Sequence, residues 1–177
     1  MKIIFVRHAE KEFEGENPAL TKKGILQAKS LAKRLKKIKI NEFYSSDLKR
    51  TIQTSEAIKK VIKKRFILKS SLREFEMNTI KKNKKSLTKQ EKEKIKNLNE
   101  FLNKMSKDKN EDKTILIVAH GITNRLIISY FLNIPTNKTV LFFQRETCVN
   151  EIKWNEKHQN WRMLLMGDNH HIPTKLK

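Results

Sequence analysis

The sequence predicts a single α/β domain, three layers deep, with a mostly parallel central sheet between helices. Three observations lead there. The chain has 177 residues, the length of one compact domain. Short apolar, β-branched runs alternate with helical stripes. That alternation is the pattern of strands joined by right-handed helical crossovers.

The elements follow in order. Ile3-Ile4-Phe5-Val6 is continuously apolar, as expected of a strand buried on both faces. The same run is too short for a signal-peptide core. Thr21 can cap a helix carrying Ile25, Ala28, Leu31, Ala32 and Leu35 at helical spacing. Phe43-Tyr44-Ser45 reads as a short strand, and Leu48, Ile52, Ser55, Ile58 and Ile62 mark the next helix. Phe66-Ile67-Leu68 is a third strand. From about 81 to 113 the chain is strongly polar and reads as a helical insert across the body. Within it Thr88 to Glu91 has the form of a capping box, and Ile95, Leu98, Leu102 and Met105 share one face. Thr114–Ala119 is the clearest strand, and 123–131 a buried helix. Thr147–Trp154 and Trp161–Leu165 suggest a hairpin whose tryptophans pack against the body.

Composition bounds the function. No window approaches the roughly 18 apolar residues of a membrane span. Cys148 is the only cysteine, so no intrachain disulfide can form, which fits a cytoplasmic protein with a small core thiol. Forty Lys and Arg against 19 Asp and Glu give a formal charge of +21. Such a field attracts any anion, nucleic acid included, but only non-specifically. The lysines are scattered and few aromatics stand among them as stacking platforms. A catalytically silent, basic nucleic-acid-binding module therefore has charge alone in its favour.

In parallel α/β sheets, ligands bind beyond the carboxyl ends of the strands. Beyond Val6 come Arg7-His8-Ala9-Glu10, and beyond Ser45 come Ser46-Asp47-Leu48-Lys49-Arg50. Beyond Leu68 come Leu72-Arg73-Glu74, and beyond Ala119 come His120-Gly121. Two histidines, three arginines and several acids thus converge on one cleft. These groups suit phosphoryl transfer, whose transition state spreads charge over three equatorial oxygens. Arginine forks bind two phosphate oxygens at once. A neutral imidazole is a nucleophile near neutral pH, and a carboxyl of raised pKa can protonate a departing alkoxide. No metal or other cofactor is required. The expected partner is a small, anionic, phosphorylated substrate, with no membrane involved.

Val6-Arg7-His8-Ala9-Glu10 and Leu20-Thr21-Lys22-Lys23-Gly24 resemble the opening of the histidine phosphatase (phosphoglycerate-mutase-like) superfamily. Tyr44 to Thr54, Val118-Ala119-His120-Gly121 and the weaker Gly167-Asp168-Asn169-His170-His171 are similar to its later signatures, in the same order. The resemblance implies that His8 is the phosphoacceptor, and that Arg7, Arg50, His120 and Gly121 surround the phosphate with it. Glu74 would be the proton donor that later activates water. Glu76 is the alternative, because in a strand both side chains would face the same way. The resemblance also makes His170 or His171 an edge-of-site residue. A metal site at that pair lacks a supporting acid or cysteine cluster, and His158 reads as a solvated turn residue. Gly24 and Gly121 are expected where backbones approach closely or turn unusually. Ser45 and Ser46 could touch phosphate, with capping by Ser46 or Asp47 as the other reading.

Departures from the pattern favour a hydrolase. Only the short stretch Lys11–Ala19 separates the opening motif from Leu20, and Ala9 stands where mutases have glycine. Mutases of this type carry a longer loop and further insertions that retain a doubly phosphorylated intermediate. The short opening also resembles phosphohistidine-protein phosphatases, which generally lack the Leu-Arg-Glu acid; Glu74 argues for a phosphomonoester. Mutase and phosphohistidine-protein phosphatase remain the alternatives.

Overall fold

In the computed structural model, which describes residues 1–81 and 86–176, six strands form one sheet in the order β3-β2-β4-β1-β5-β6. The strands are β1 (Lys2–Arg7), β2 (Glu42–Ser45), β3 (Ile67–Leu68), β4 (Thr114–Ala119), β5 (Val149–Asn155) and β6 (Asn160–Asp168). The first four run parallel; β5 pairs antiparallel with β1 and with β6, forming the expected hairpin. Helices α1 (Lys22–Leu35), α2 (Lys49–Ile62), α3 (Met77–Lys81), α4 (Lys89–Ser106) and α5 (Gly121–Leu132) cover the sheet.

The period-two geometry of a strand explains the unbroken apolar runs. In β1, Ile3 and Phe5 face a core built with Ile115, Ile117, Leu98, Leu102, Ile127 and Ile128. Ile4 and Val6 face the opposite core, with Leu116, Val118, Leu31, Leu35 and Ile58. Thus α4 and α5 lie on one face of the sheet, and α1 and α2 on the other. All the residues of both sets are fully buried.

The helix ends follow their sequence signals. Thr21 caps α1 by accepting from the Gly24 amide at 2.9 Å. Thr88 and Glu91 form a reciprocal capping box on α4, whose Leu98, Leu102 and Met105 are buried. The stretch 82–85 of the polar segment lies outside the described residues. Helix α5 starts two residues earlier than its apolar stripe suggested, because His120 already takes the N-cap position. Trp161 packs on Trp154 and Phe131, with centroids 5.6 and 4.6 Å away. Two expectations need correcting. Ile25, placed on the core stripe of α1, is 44% exposed, while Gln27 is buried instead. Neither Ser46 nor Asp47 caps α2: Leu48 sits at its N-cap without a side-chain hydrogen bond.

Gly24 lies at the closest backbone approach. A Cβ there would stand 2.0 Å from the Glu10 carbonyl oxygen. Only a residue without a side chain lets α1 abut the loop that follows His8. Gly121 differs from expectation: a Cβ there would meet Arg7 Nε at 3.6 Å, an ordinary contact. We expect Gly24→Ala to destabilise the fold by about 2 kcal/mol or more, since a backbone oxygen must move. Urea unfolding followed by circular dichroism measures this.

Candidate active site

The site begins as an extension of the sheet. Register pairs Arg7 with Ala119 and Ser45 with Val118. The ladder then continues one residue further: the His8 amide donates to the Ala119 carbonyl and the Ser46 amide to the Val118 carbonyl, both at 3.0 Å. His8, Ser46 and His120 are thereby delivered to one level at the ends of three adjacent strands. Each is at most 2% exposed.

The His8 ring has a defined orientation. Its Nδ1 lies 2.7 Å from the Ala9 carbonyl oxygen, an acceptor, so Nδ1 carries the hydrogen. The lone pair is therefore on Nε2, toward which Arg50 Nε donates at 3.2 Å. Burial holds the His8 pKa down to about 3, with the charges of Arg7 and Arg50 adding to the effect. His120 is held well below the usual histidine range by burial, and then by His8, Arg50 and Arg7. Its Nε2 lies 3.0 Å from Ser46 Oγ, and the two imidazoles meet edge to face at 5.1 Å. Both rings are neutral at physiological pH.

Glu74 completes the cluster from the segment between a 3₁₀ turn (Ser70–Leu72) and α3. That segment is not a strand, so Glu74 and Glu76 do not share a direction: Glu76 is exposed and Glu74 is half-buried. Leu72 and Phe75, both buried, anchor the segment on either side. Glu74 Oε1 accepts from the amides of Phe75, Ile122 and Thr123 at 3.2, 3.1 and 3.4 Å. The last two belong to the first turn of α5, where the free N–H groups favour an anion. Burial nevertheless outweighs these donors and raises the carboxyl pKa. One carboxylate oxygen lies within 4.8 Å of a ring nitrogen of each histidine.

Arg7 reaches the cluster from β1 but is heavily committed elsewhere. Its Nη1 donates to the Gln144 carbonyl at 2.6 Å, and its Nη2 pairs with Glu146 at 2.8 Å. Among the described residues, buried Arg7 Nε and His120 Nδ1 have no hydrogen-bond partner. A buried, unpaired guanidinium N–H calls for an acceptor, and an unpaired ring nitrogen for a partner of either kind. His8, Glu74 and His120 also have the spacing of a metal site. Yet Arg50 already donates into His8 Nε2, and the fixed positive charge of Arg7 and Arg50 makes the position better suited to an anion than to a cation.

Several residues around the cluster went unread in the sequence. Arg125, 8% exposed, donates to the Phe142 carbonyl at 2.9 Å. Burial lowers its pKa, and it feels the charges of Arg7 and Glu74. Gln144 accepts from Asn124 at 3.3 Å and from Asn150 at 2.8 Å, fixing the loop whose carbonyl holds Arg7. Thr54 accepts from the Ala9 amide at 3.1 Å and donates to the Arg50 carbonyl at 2.8 Å, tying the two motifs together. Three consecutive polar residues, Thr123-Asn124-Arg125, inside an otherwise apolar buried helix were the available signal. Of the C-terminal histidines, exposed His170 pairs with Asp168, and His171 Nδ1 accepts from Arg34 of α1 at 3.1 Å. Cys148 is buried, and burial pushes its thiol up to about 11.

A parallel-sheet α/β domain that gathers neutral histidines, arginines and a raised-pKa carboxyl at its strand ends is a phosphoryl-transfer enzyme in its make-up. Comparison with known proteins gives the family. The description "Histidine phosphatase superfamily (branch 1)" matches residues 3–107 and 93–169, and the chain belongs to that superfamily. It is a phosphatase-type enzyme by this membership. Among curated relatives, the probable phosphoglycerate mutase GpmB of Escherichia coli O1:K1 is 26% identical over 204 residues, spanning 97% of this chain and 95% of the relative. Among solved structures, phosphoserine phosphatase from Entamoeba histolytica in complex with phosphoserine superposes with a TM-score of 0.79 at 20% identity, covering 97% of this chain and 99% of that one. Mycobacterial glucosyl-3-phosphoglycerate phosphatase superposes with a TM-score of 0.76 at 14% identity, covering 95% and 99%. These superpositions establish the shared fold. No described helix is long and apolar enough to cross a membrane.

The pKa shifts carry a stability consequence. His8 (about 3), His120 and His171 (about 4) are all held below the ordinary histidine value of 6.5. The unfolded chain therefore binds protons between pH 6.5 and about 4 that the folded chain refuses, and stability falls as pH falls through that window. Glu74 acts oppositely, keeping its proton in the fold, and offsets part of the loss. We expect the unfolding free energy to drop between pH 7 and pH 4, and His171→Asn to flatten the slope; urea titrations at stepped pH test it.

Proposed function

We propose that this enzyme hydrolyses small phosphate monoesters without a metal, through a phosphohistidine on His8. The observation that carries the reading is the His8 tautomer: Nδ1–H is spent on the Ala9 carbonyl, leaving the Nε2 lone pair among Arg50, His120 and Glu74.

The steps follow from the geometry. His8 Nε2 attacks phosphorus and the bond to the ester oxygen breaks. Arg50, Arg7, His120 and the Gly121 amide at the start of α5 hold the phosphoryl oxygens and offset their charge. Glu74, protonated because it is buried, gives its proton to the leaving alkoxide. As a carboxylate it then takes a proton from water, which attacks the phosphohistidine and releases inorganic phosphate. His8 returns to its neutral form.

A second reading, phosphoglycerate mutase, is favoured by the names of the curated relatives. The short stretch Lys11–Ala19 supports the hydrolase, because a mutase must retain its doubly phosphorylated intermediate and an open site loses it to water. Phosphohistidine-protein phosphatase activity is disfavoured by Glu74, whose proton such a leaving group needs less. Phosphoserine and 3-phosphoglycerate, bound by structural neighbours, are the first natural compounds to assay.

With chelator present, wild type is expected to turn over p-nitrophenyl phosphate, and His8→Ala to lose at least about three orders of magnitude in kcat, as for removal of a covalent nucleophile. Wild-type-like turnover by His8→Ala would remove His8 as the phosphoacceptor. No turnover by wild type on p-nitrophenyl phosphate, 3-phosphoglycerate or a phosphohistidine protein, with steeply salt-dependent duplex DNA binding that His8→Ala leaves unchanged, would move the reading to the basic binding module. The pH profile has a defined sense. Activity rises as His8 loses its proton near pH 3 and falls as Glu74 loses its own above the usual carboxylate range. The kcat/KM profile for an alkyl phosphate is therefore a bell whose alkaline limb belongs to Glu74, and Glu74→Gln removes that limb.

A further inference from the structure

Two charged residues in the strand-end motifs have no part in the phosphate cluster. Asp47 stands between Ser46 and Arg50, and Arg73 directly precedes Glu74. They find each other instead. Arg73 Nε donates to Asp47 Oδ1 and Nη2 to Oδ2, both at 2.7 Å, the bidentate fork of a well-aligned pair. The Arg73 side chain is 55% exposed and that of Asp47 23%. An exposed pair of this sort adds little to overall stability. What distinguishes it is what it joins.

On one side is the loop that delivers Ser46 and Arg50. On the other is the segment that delivers Glu74. The Arg73 backbone is held as well, its carbonyl accepting from Thr123 Oγ1 at 3.1 Å. The Glu74 segment is thus fastened to α5 through its backbone and to the β2–α2 loop through the Arg73 side chain. The pair also governs charge. Arg7 from β1, Arg50 from α2 and Arg125 from α5 already act on Glu74, with the neutral rings of His8 and His120 beside it. A fourth guanidinium released next to that carboxyl would favour its ionised form. Asp47 engages the Nε–Nη2 edge of the Arg73 guanidinium with both carboxylate oxygens and offsets its charge.

We propose that the Asp47–Arg73 pair is a positioning device for the proton donor: it fastens the Glu74 segment against the Ser46–Arg50 loop and withholds the Arg73 guanidinium from the Glu74 carboxyl. The proposal rests on the reading of Glu74 as the general acid. Asp47 and Arg73 touch neither substrate nor reacting atoms, so their effect is confined to reactions that need the proton.

Leaving-group dependence is the readout that a merely structural role would not move. p-Nitrophenolate departs without a proton, whereas the alkoxide of glycerol 2-phosphate requires one. Asp47→Asn and Arg73→Gln, each with wild-type-like thermal unfolding, are expected to keep p-nitrophenyl phosphate turnover within about twofold. The same variants are expected to lower kcat on glycerol 2-phosphate by roughly tenfold or more, the cost of a misplaced catalytic group. In Asp47→Asn the alkaline limb for glycerol 2-phosphate also moves to lower pH. Glu74→Gln sets the reference, since it must lower the same ratio of rates. If it does and Asp47→Asn leaves the ratio unchanged, the positioning role is overturned while Glu74 keeps its place. If Glu74→Gln leaves the ratio unchanged, the general-acid reading falls and takes the positioning role with it.

Discussion

The register between β1, β4 and β2 is the constraint on which everything else depends. Parallel pairing of Arg7 with Ala119 and Ser45 with Val118 determines that His8, Ser46 and His120 leave the sheet at one height. A slip of one residue would turn the core-facing side chains of a strand to its opposite face and separate the two imidazoles. That register is itself enforced by burial. Ile3 and Phe5 must face one apolar layer while Ile4 and Val6 face the other, and both layers are closed to water. Packing energy spread over the whole sheet is thereby converted into the placement of a few ring nitrogens.

Burial then does electrostatic work. Removing His8 and His120 from water, beside Arg7 and Arg50, makes the imidazolium form costly and keeps both rings neutral. The same burial raises the Glu74 pKa against three backbone donors that favour its anion. One physical cause thus shifts two imidazoles and a carboxyl in opposite senses, with their nitrogen and oxygen atoms within 4.8 Å of one another. The charge of Arg7 is matched in part by Glu146, and that of Arg73 by Asp47.

Support for the cluster comes from a buried polar network that contains no charge-bearing motif. Gln144, Asn124, Asn150 and Cys148 are hydrogen-bonded in one cluster, and Asn150 donates across to the Phe5 carbonyl at 3.2 Å. The network stiffens the loop after α5 whose Gln144 carbonyl and Glu146 carboxylate orient Arg7. Buried polar groups hold position well only when every member is paired, and most of these are.

Much of this was legible in the residues alone. Unbroken apolar runs announced strands buried on both faces, the rule that ligands sit beyond parallel strand ends pointed to the four segments after them, and the family resemblance singled out Arg7, His8, Arg50, Glu74 and His120 within those segments. Those signals are local, carried by period and by neighbours in the chain. Where Glu74 and Glu76 lie was not local: the segment after β3 is a turn anchored by Leu72 and Phe75, which sets Glu74 on the first turn of α5 and leaves Glu76 exposed. Nor could spacing reveal that Arg7 is shared with Gln144 and Glu146, that Asp47 meets Arg73 across 26 residues, or that His171 answers to Arg34. Sequence determines which groups are present and roughly where each strand ends. Tertiary structure decides which lone pair faces which cation, because burial and long-range pairing, the two causes of every shift in this site, exist only once the chain is folded.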